Sequence, residues 1–175
     1  NSGDTYVAWN WKAGTSVSGT TTGSGTLKSY TGSVNTTSGF SIIAYEGNAT
    51  AGHQIPHHLN SAPEMVIVKD RDALTHWGVG HIGINGGSNP WDYKLHLDLT
   101  NAQSDDVNVW NDTAPTSSVV TLGAGGIPNG NTVDYIMYCF HSVDGYSKCG
   151  SYVGNGSADG AFVHTGFRPS FLIIK

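Results

Sequence analysis

Three of the eight histidines lie close together and are the first residues to test for chemistry. His53, His57 and His58 occur in the segment GHQIPHHL, and imidazoles at this spacing could bind zinc or copper. No cysteine or carboxylate in the segment completes a ligand set, so we assign no metal site. His164 is a lone histidine in a comparable sequence context, which favours polar packing.

The carboxylates offer little that resembles catalytic machinery. The two glutamates, Glu46 and Glu64, are not part of a paired-carboxylate strand motif. Asp70 and Asp72 alternate with basic residues in KDRD, as expected for a solvated turn. The sequence also lacks the nucleophile-elbow, zinc-protease and phosphate-loop motifs. We therefore expect no catalytic residues, and the protein is not predicted to be an enzyme.

One set of oxygen-bearing and aromatic side chains supports an alternative, ligand-binding function. Asp105 and Asp106, with Asn101 and Asn108 nearby, could bind calcium as in lectin-like sandwiches, although acidic loop pairs are commonly just solvated. Trp91 lies in a glycine-rich loop and is the tryptophan we expect to be exposed, although aromatic residues usually fill the core. In this interpretation Trp91, Asp105 and Asp106 would bind a surface glycan or receptor, and calcium would be the single cofactor.

The two cysteines flank a predicted turn at Asp144-Gly145. A three-residue loop would place Cys139 opposite Cys149, where a cross-strand disulfide could form. A two-residue loop would shift the register by one residue and leave two free thiols. Both alternatives are open from the sequence.

Four N-x-S/T triplets are candidate glycosylation sites. Their asparagines are Asn35, Asn48, Asn111 and Asn155. Such triplets arise by chance in a chain rich in Asn, Ser and Thr. The matching positions of Asn48 and Asn155 at turn tips are better explained by turn geometry than by glycosylation.

The composition excludes several classes of protein. The 175 residues have a net charge of −5, with 12% charged residues, which is too little positive charge for binding nucleic acid or an anionic membrane. The apolar runs are too short to span a bilayer. Hydrophobic residues make up 38% of the chain, which is enough for a core. Abundant Ser, Thr, Asn and Gly disfavour helices and indicate an all-β, extracellular protein.

Short apolar segments bounded by turn residues predict a single antiparallel β-sandwich of jelly-roll type over residues 1–175. The predicted strands are Tyr6–Trp11, Phe40–Tyr45, Met65–Lys69, His76–Val79, Tyr93–Leu99, Val107–Trp110, Ser118–Leu122, Val133–Phe140, Ser147–Val153, Ala161–His164 and Ser170–Lys175. The best helix candidate is weak and covers Asn101–Asp105. The segment 15–38 is rich in Ser, Thr and Gly, which predicts either a flexible arm or an edge hairpin, with the arm favoured.

An internal repeat is the most informative feature of the sequence. Residues 39–69 return as residues 145–175, with Asn48 matching Asn155 and Lys69 matching Lys175. The segment YVAWNW (6–11) before the first copy also resembles YIMYCF (135–140) before the second. Two interpretations remain open: pseudo-symmetry within one sandwich, or a module that assembles into a head-to-tail array.

Several segments together resemble a domain of unknown function that recurs in phage tail-fibre-like and virion structural proteins, many from aquatic metagenomes. These segments are TYVAWNWKAG, GFSIIAYEGNATAG, APEMVIVK, WNDTAPTSSVVTLG and YCFHSVDGYSKCGSYVGNGSADGAFVHTGFRPSFLIIK. The resemblance spans nearly the whole chain apart from residues 15–38. It implies a β-sandwich appendage module without catalytic residues.

We therefore expect a structural subunit of an extracellular or virion fibre, whose partners are copies of itself in a homopolymer. The chain ends on an apolar predicted strand, and a terminal strand of this kind can complete a sheet in a neighbouring copy. Such a contact is heterologous and builds filaments when it does not close. The residues expected to mediate this strand complementation are Tyr6, Val7, Trp9, Trp11, Phe171, Leu172, Ile173 and Ile174.

Overall fold

Two antiparallel β-sheets form the protein in the computed structural model, which describes residue 3 and residues 10–175. The strands are β1 (Thr15–Thr20), β2 (Thr22–Gly23), β3 (Ser29–Asn35), β4 (Phe40–Glu46), β5 (His53–Pro56), β6 (Met65–Asp70), β7 (Gly78–His81), β8 (Tyr93–His96), β9 (Ser104–Asp105), β10 (Val119–Leu122) and β11 (Asp134–Phe140). The helices are short: α1 (Val107–Trp110), α2 (Gly126–Asn129) and two 3-10 turns at Ile84–Gly87 and Pro90–Asp92.

The larger sheet has eight strands in the order β1-β3-β4-β11-β6-β7-β8-β9. Strand β11 pairs along its length with β4 on one side and with β6 on the other, so that Met137 lies opposite both Ile43 and Val68. The edges of this sheet are β1 and β9. The smaller sheet has three strands in the order β10-β5-β2.

The hydrophobic core lies between the two sheets. Ile43, Val66 and Met137 from the larger sheet cluster with Ile55 and Leu122 from the smaller one, and all five are fully buried. Each comes from a strand with apolar residues at every second position, the pattern that puts one face of a strand into a core. The prediction of an all-β sandwich is confirmed, with eight strands in one sheet and three in the other.

The opposite face of the larger sheet is also apolar. Strand alternation places Phe40, Ile67 and Val79 on this outer face, because their neighbours Val66 and Val68 point into the core. In a two-layer sandwich these three side chains would face water. They are instead only 5–6% exposed, so further parts of the chain cover this face.

The segment 15–38 forms strands at one edge of the larger sheet. Strand β1 pairs antiparallel with β3 from Thr15 opposite Val34 to Thr20 opposite Ser29. Tyr30 and Val34 are buried in the core cluster and anchor the edge. Val17 packs against the same core cluster, so a segment rich in Ser, Thr and Gly is held at the sheet edge by a few apolar side chains.

Several strand predictions are wrong. Val107–Trp110 is the helix α1: the Asp106 side chain accepts a hydrogen bond from the Asn108 N–H at its start, and Asn111 ends it with a left-handed φ of 54°. Of the weak helix candidate, Ser104–Asp105 is strand β9 and the three residues before it have no regular structure. Of the predicted first strand, residues 6–9 lie outside the described residues.

No strand forms after Ser147 in the described part of the chain, so the three predicted strands at Ser147–Val153, Ala161–His164 and Ser170–Lys175 are also wrong. The last backbone pairing is the isolated bridge between Val143 and Ser147. The apolar residues of this segment therefore have the sequence pattern of strands, although no strand is described there.

A buried polar network fixes the turn after β4. The Asn129 side chain accepts hydrogen bonds from the Asn48 N–H and His53 Nδ1, and its amide donates to the carbonyls of Thr50 and Gly123. His53 Nε2 lies 2.8 Å from the Thr21 hydroxyl. Asn129, His53 and Thr21 are fully buried, so the network satisfies polar groups that would otherwise destabilise the interior.

Candidate functional site

The first copy of the repeat, residues 39–69, supplies the centre of the larger sheet. Its two apolar segments are β4 and β6, which lie on either side of β11. Both faces of these strands are largely covered, and their backbone groups pair with neighbours on both sides. In the first copy, the two apolar halves of the repeat therefore form strands, one on each side of a shared partner strand.

The second copy, residues 145–175, contains no strand in the described part of the chain. Its terminal segment exposes large apolar side chains: Leu172 is 65% exposed and Ile174 is 68% exposed. Phe162 and Val153 are nearly fully exposed. The residues that match Leu172 and Ile174 in the first copy, Val66 and Val68, are fully buried in the sandwich.

The turns of the second copy nevertheless have the conformations of the first. Gly39 and Gly145 correspond and have φ values of 64° and 71°. The residues after the matched asparagines, Ala49 and Gly156, have φ values of 53° and 69°. The same kind of turn follows each asparagine: the Thr50 N–H donates to Asn48 Oδ1, and the Ser157 N–H donates to Asn155 Oδ1. The second copy therefore adopts the local geometry of the first without its strands.

The C-terminal segment contacts two other parts of the chain. The Trp11 ring contacts both Phe40, at the start of β4, and Phe171, with ring centroids 6.3 Å and 5.2 Å apart. The Lys175 ammonium donates to the Leu99 carbonyl, after β8. One end of residues 171–175 is therefore held by Trp11 and the other by the loop after β8.

The structure describes five of the eight residues predicted for assembly. Tyr6, Val7 and Trp9 lie outside the described residues. Trp11 and Phe171 are brought into contact, although they are far apart in sequence. The remaining three, Leu172, Ile173 and Ile174, are exposed and lie next to one another at the end of the chain.

An open groove of about 500 Å³ lies at the β1 edge of the outer face of the larger sheet. Its lining has no charged residue and combines hydroxyl groups with aliphatic side chains: Ser16, Val17, Ser18, Thr31, Gly32, Ser33, Ile42, Ala44 and Ile136. The lining resembles a surface for contact with another chain more than a site for acid–base chemistry.

Of the two alternatives that the sequence left open, the structure has the free thiols: Cys139 and Cys149 form no disulfide. Cys139 lies in β11 opposite Ser41 on one side and Val66 on the other. No position opposite Cys139 is left for Cys149. Burial raises the pKa of Cys139 to about 12 and that of Cys149 to about 11, where the Glu64 carboxylate adds to the effect. Neither thiol is an activated nucleophile.

The predicted exposure of Trp91 is wrong. Its ring is 5% exposed and packs edge-on against Trp110 at 5.7 Å between centroids. Gly80 makes this possible, because a Cβ at that position would clash with the Trp91 ring. A buried tryptophan cannot stack on a sugar, so the proposed ligand set loses its aromatic member.

The two aspartates of that set have separate surroundings. Asp106 caps α1 and pairs with Lys94. Burial alone would raise the pKa of Asp106, but the hydrogen bonds from Lys94 and Asn108 outweigh burial and lower it. Asp105 is exposed in β9. Desolvation and three neighbouring carboxylates, Asp92, Asp105 and Asp106, raise the pKa of Asp112. Across residue 3 and residues 10–175, no group of three or more His, Cys, Asp or Glu side chains is arranged to hold a metal ion.

The three neighbouring histidines bind different partners. His53 belongs to the Asn129 network, and His57 Nε2 lies 3.1 Å from the Thr116 carbonyl. His58 Nε2 lies 2.8 Å from the Tyr30 hydroxyl. Their ring nitrogens form hydrogen bonds that hold β5 and the turn after it in place. This network, including Asn129, was not identified from the sequence, because Asn129 lies far from these histidines along the chain.

One of the four glycosylation candidates is inaccessible. Asn48 is buried, and its amide donates to the carbonyls of Ser24 and Thr26. Asn35 and Asn111 are partly buried, while Asn155 is exposed. Within the described residues, no helix is long and apolar enough to cross a membrane.

The whole sequence, residues 1–175, matches the family model described as Domain of unknown function (DUF7483). No curated protein and no solved structure matches the chain.

Proposed function

The chain belongs to the DUF7483 family, and we propose that this member is a structural module that joins copies of itself head to tail in an extracellular or virion fibre. One observation supports this proposal above the others. The second copy of the repeat exposes large apolar side chains, among them Leu172 and Ile174, whereas the matching segments of the first copy form the centre of a sheet.

An exposed apolar segment of this kind is unfavourable in water. Exposed apolar area costs about 25 cal/mol per Å², and unpaired strands readily pair with another chain. In the isolated chain, Leu172 and Ile174 remain mostly exposed. Pairing with a second copy would bury both side chains and supply hydrogen-bond partners for the backbone, which is the physical basis of strand complementation.

The surface of the chain permits close contact between copies. Only 12% of the residues are charged, and the net charge is −5. Like-charge repulsion between copies is therefore weak, while Ser, Thr and Asn keep the surface hydrated. A contact between the end of one copy and a different surface of the next is heterologous, so repetition produces a filament when the contact does not close into a ring.

The fibre location rests on the sequence resemblance described above. The motifs around residues 39–69 and 145–175 are similar to those of phage tail-fibre-like and virion structural proteins. The low charge and the abundance of neutral polar residues fit an appendage outside the cell. We propose this location, with the homopolymer as the assembly.

Electron microscopy and sedimentation of the purified chain test the proposal. The test samples are the full chain, a chain shortened to residues 1–166, and the double variant Leu172→Asp/Ile174→Asp. The matched control is Leu74→Asp, because Leu74 is a fully exposed apolar residue in a loop outside the repeat. Circular dichroism verifies that each variant retains its β-sheets.

We expect filaments or concentration-dependent oligomers from the full chain and from Leu74→Asp. The shortened chain and the double variant should remain monomeric. Monodisperse monomers in all four samples at high concentration would overturn the proposal, as would filaments that persist without residues 167–175.

A further inference from the structure

The sequence contains three Asn-Gly dipeptides, at Asn85-Gly86, Asn129-Gly130 and Asn155-Gly156. In such a dipeptide the backbone nitrogen of the glycine can attack the side-chain carbonyl of the asparagine, because glycine has no Cβ to block the approach. The reaction needs the two atoms to meet and the chain around them to move. The structure places the three dipeptides in different surroundings, so their reactivities should differ.

The core protects Asn129. Its side chain is fully buried, and its amide donates to the carbonyls of Thr50 and Gly123. Movement of this side chain requires the core to open, which happens only in a small fraction of molecules. We therefore expect Asn129 to be unreactive in the folded protein.

Asn85 is held at two points. It is half-buried in the 3-10 turn Ile84–Gly87, and its backbone N–H donates to Gln103 Oε1 at 2.7 Å. Its side-chain amide donates to the Ser88 carbonyl at 2.8 Å. These contacts should slow the reaction at Asn85 without the protection that full burial gives.

Asn155 is exposed, and the hydrogen bonds described for its side chain stay within four residues. Its Oδ1 accepts from the Ser157 N–H at 3.1 Å, and its amide donates to the Asp159 carbonyl at 3.1 Å. The bond from Ser157 closes a ring that contains both the Asn155 Cγ and the Gly156 nitrogen, the two atoms that must react. A Cβ built on Gly156 would meet no atom within 4 Å, so the turn has open space around it.

We propose that Asn155 is a site of spontaneous deamidation, in which the asparagine becomes aspartate or isoaspartate. The Gly156 nitrogen gives up its proton to solvent and forms a bond to the Asn155 Cγ. The side-chain nitrogen leaves as ammonia, and a cyclic imide remains. Water then adds to one of the two imide carbonyls and opens the ring, without any oxidant or reductant. The product carries a new negative charge and lacks the amide that donates to the Asp159 carbonyl.

The first copy of the repeat has the same turn in a protected form. Asn48 Oδ1 accepts from the Thr50 N–H at 2.9 Å. The Asn48 side chain is buried, and its amide donates to the carbonyls of Ser24 and Thr26. The next residue is Ala49, whose methyl group hinders attack by the backbone nitrogen. The modification should therefore be confined to the second copy.

Peptide mapping by mass spectrometry tests this assignment on the whole chain, kept dilute enough to be monomeric by sedimentation. The chain is incubated in mildly alkaline buffer, folded in one sample and unfolded in urea in the other, and deamidation is read as a mass gain of about 1 Da. Two variants accompany the unchanged chain. Gly156→Ala introduces the residue of the first copy, where Ala49 has a φ of 53°, so alanine suits this turn. Ala49→Gly is the reciprocal change and creates an Asn-Gly dipeptide at the buried Asn48.

In the folded chain we expect Asn155 to react at least about tenfold faster than Asn85 or Asn129, and in urea all three should react within about threefold of one another. Gly156→Ala should slow the reaction at Asn155 by about tenfold or more, because the added methyl group obstructs the attacking nitrogen.

In the folded Ala49→Gly variant, Asn48 should still react at least about tenfold more slowly than Asn155, because it remains buried. Equal rates at Asn85 and Asn155 in the folded chain would overturn the assignment, as would a rate at Asn155 that Gly156→Ala does not change. An Asn155 that reacts in urea and not in the folded chain would show that its turn is protective and would also overturn the proposal. The head-to-tail assembly is measured separately by sedimentation, so none of these outcomes decides it.

Discussion

The side chain of Asn129 uses all of its hydrogen-bonding groups although it is fully buried. Its oxygen accepts from Asn48 and His53, and its two amide hydrogens donate to separate carbonyls. These contacts join α2 to β5 and to the turn after β4. A single residue thereby connects the two sheets at the point where the first copy of the repeat turns.

Replacement of Asn129 by alanine should destabilise the protein strongly. The variant Asn129→Ala leaves His53 and the backbone groups around it without partners, and each unsatisfied buried group costs about 1–3 kcal/mol, so we expect a loss of about 3 kcal/mol or more. Urea denaturation measures the change. The matched variant Asn131→Ala alters an exposed asparagine in the next turn and should change stability little. Similar effects of the two variants would contradict the role of the network.

Buried histidines make the stability depend on pH. Burial lowers the pKa of His57 from 6.5 to about 4, the Thr116 carbonyl opposes this shift, and nearby His58 and His141 add to it. Burial likewise lowers the pKa of His53. At a pH between the lowered pKa values of the folded protein and the value near 6.5 of the unfolded chain, the unfolded chain binds more protons than the folded one. Stability is therefore fully present above about pH 6.5 and falls as the pH decreases toward 4.

We expect acid to cost about 3 kcal/mol through His57 alone, at about 1.4 kcal/mol for each pKa unit of the shift. Urea denaturation at pH 7 and at pH 4.5 measures the loss. The variant His57→Gln should reduce the difference between the two pH values. The matched variant His164→Gln changes an exposed histidine and should leave it intact. A stability that does not vary between these pH values would contradict the buried, neutral state of His57.

The two copies of the repeat show that a strand depends on its partner as well as on its own residues. Their turns agree, with the same left-handed positions and the same turn after each asparagine. Their apolar segments differ, because only the first copy has β11 beside it. Local sequence therefore determines the turns, and tertiary pairing determines the strands.

Amide hydrogen exchange should reveal this difference directly. In the monomer, the amides of β4, β6 and β11 should exchange slowly, and those of residues 150–165 should exchange quickly, because no strand is described there. Assembly should slow exchange at residues 171–175 and leave the core strands unchanged. Fast exchange at residues 171–175 in assembled material would show that the terminal segment is not paired.

Much of the sandwich could be predicted from the sequence. The strands at β4, β6, β10 and β11 were identified within a residue or two, because their alternating apolar residues are bounded by clear turn signals. The edge formed by β1 and β3 was harder to predict, since only Tyr30 and Val34 of these two strands are buried. Trp11 and Phe171 were both predicted to take part in assembly, but their contact with each other was not predicted.

The wrong predictions have physical causes. Trp91 was expected to be exposed because its loop is rich in glycine, yet the missing side chain at Gly80 opens the space that its ring fills. Val107–Trp110 was expected to be a strand because its apolar residues alternate, yet Asp106 and Asn111 cap it as a helix. The segments after Ser147 have strand patterns, but a pattern does not show whether a partner is present.

At the scale of the whole molecule, the large sheet is apolar on both faces. One face packs against the three-stranded sheet, and Ile67 and Val79 are buried on the other. The C-terminal segment is held by contacts such as Trp11–Phe171 and Lys175–Leu99. Apolar contact and backbone pairing, more than charge, should therefore hold an assembly of these molecules together.

Assembly should accordingly depend little on salt. With 12% charged residues and a net charge of −5, we expect the extent of assembly to change by less than about twofold between 50 mM and 500 mM salt, because screening mainly affects exposed charges. Light scattering or sedimentation measures this change. Disassembly at high salt would show that ion pairs, not apolar contacts, join the copies.

The two edges of the large sheet bear on the thickness of such a fibre. Strand β9 has only two residues and is polar, and β1 consists of Ser, Thr and Gly apart from Val17. Short and polar edge strands are poor templates for side-by-side pairing. A filament of these modules should therefore remain a single thread one sandwich wide, without lateral bundling.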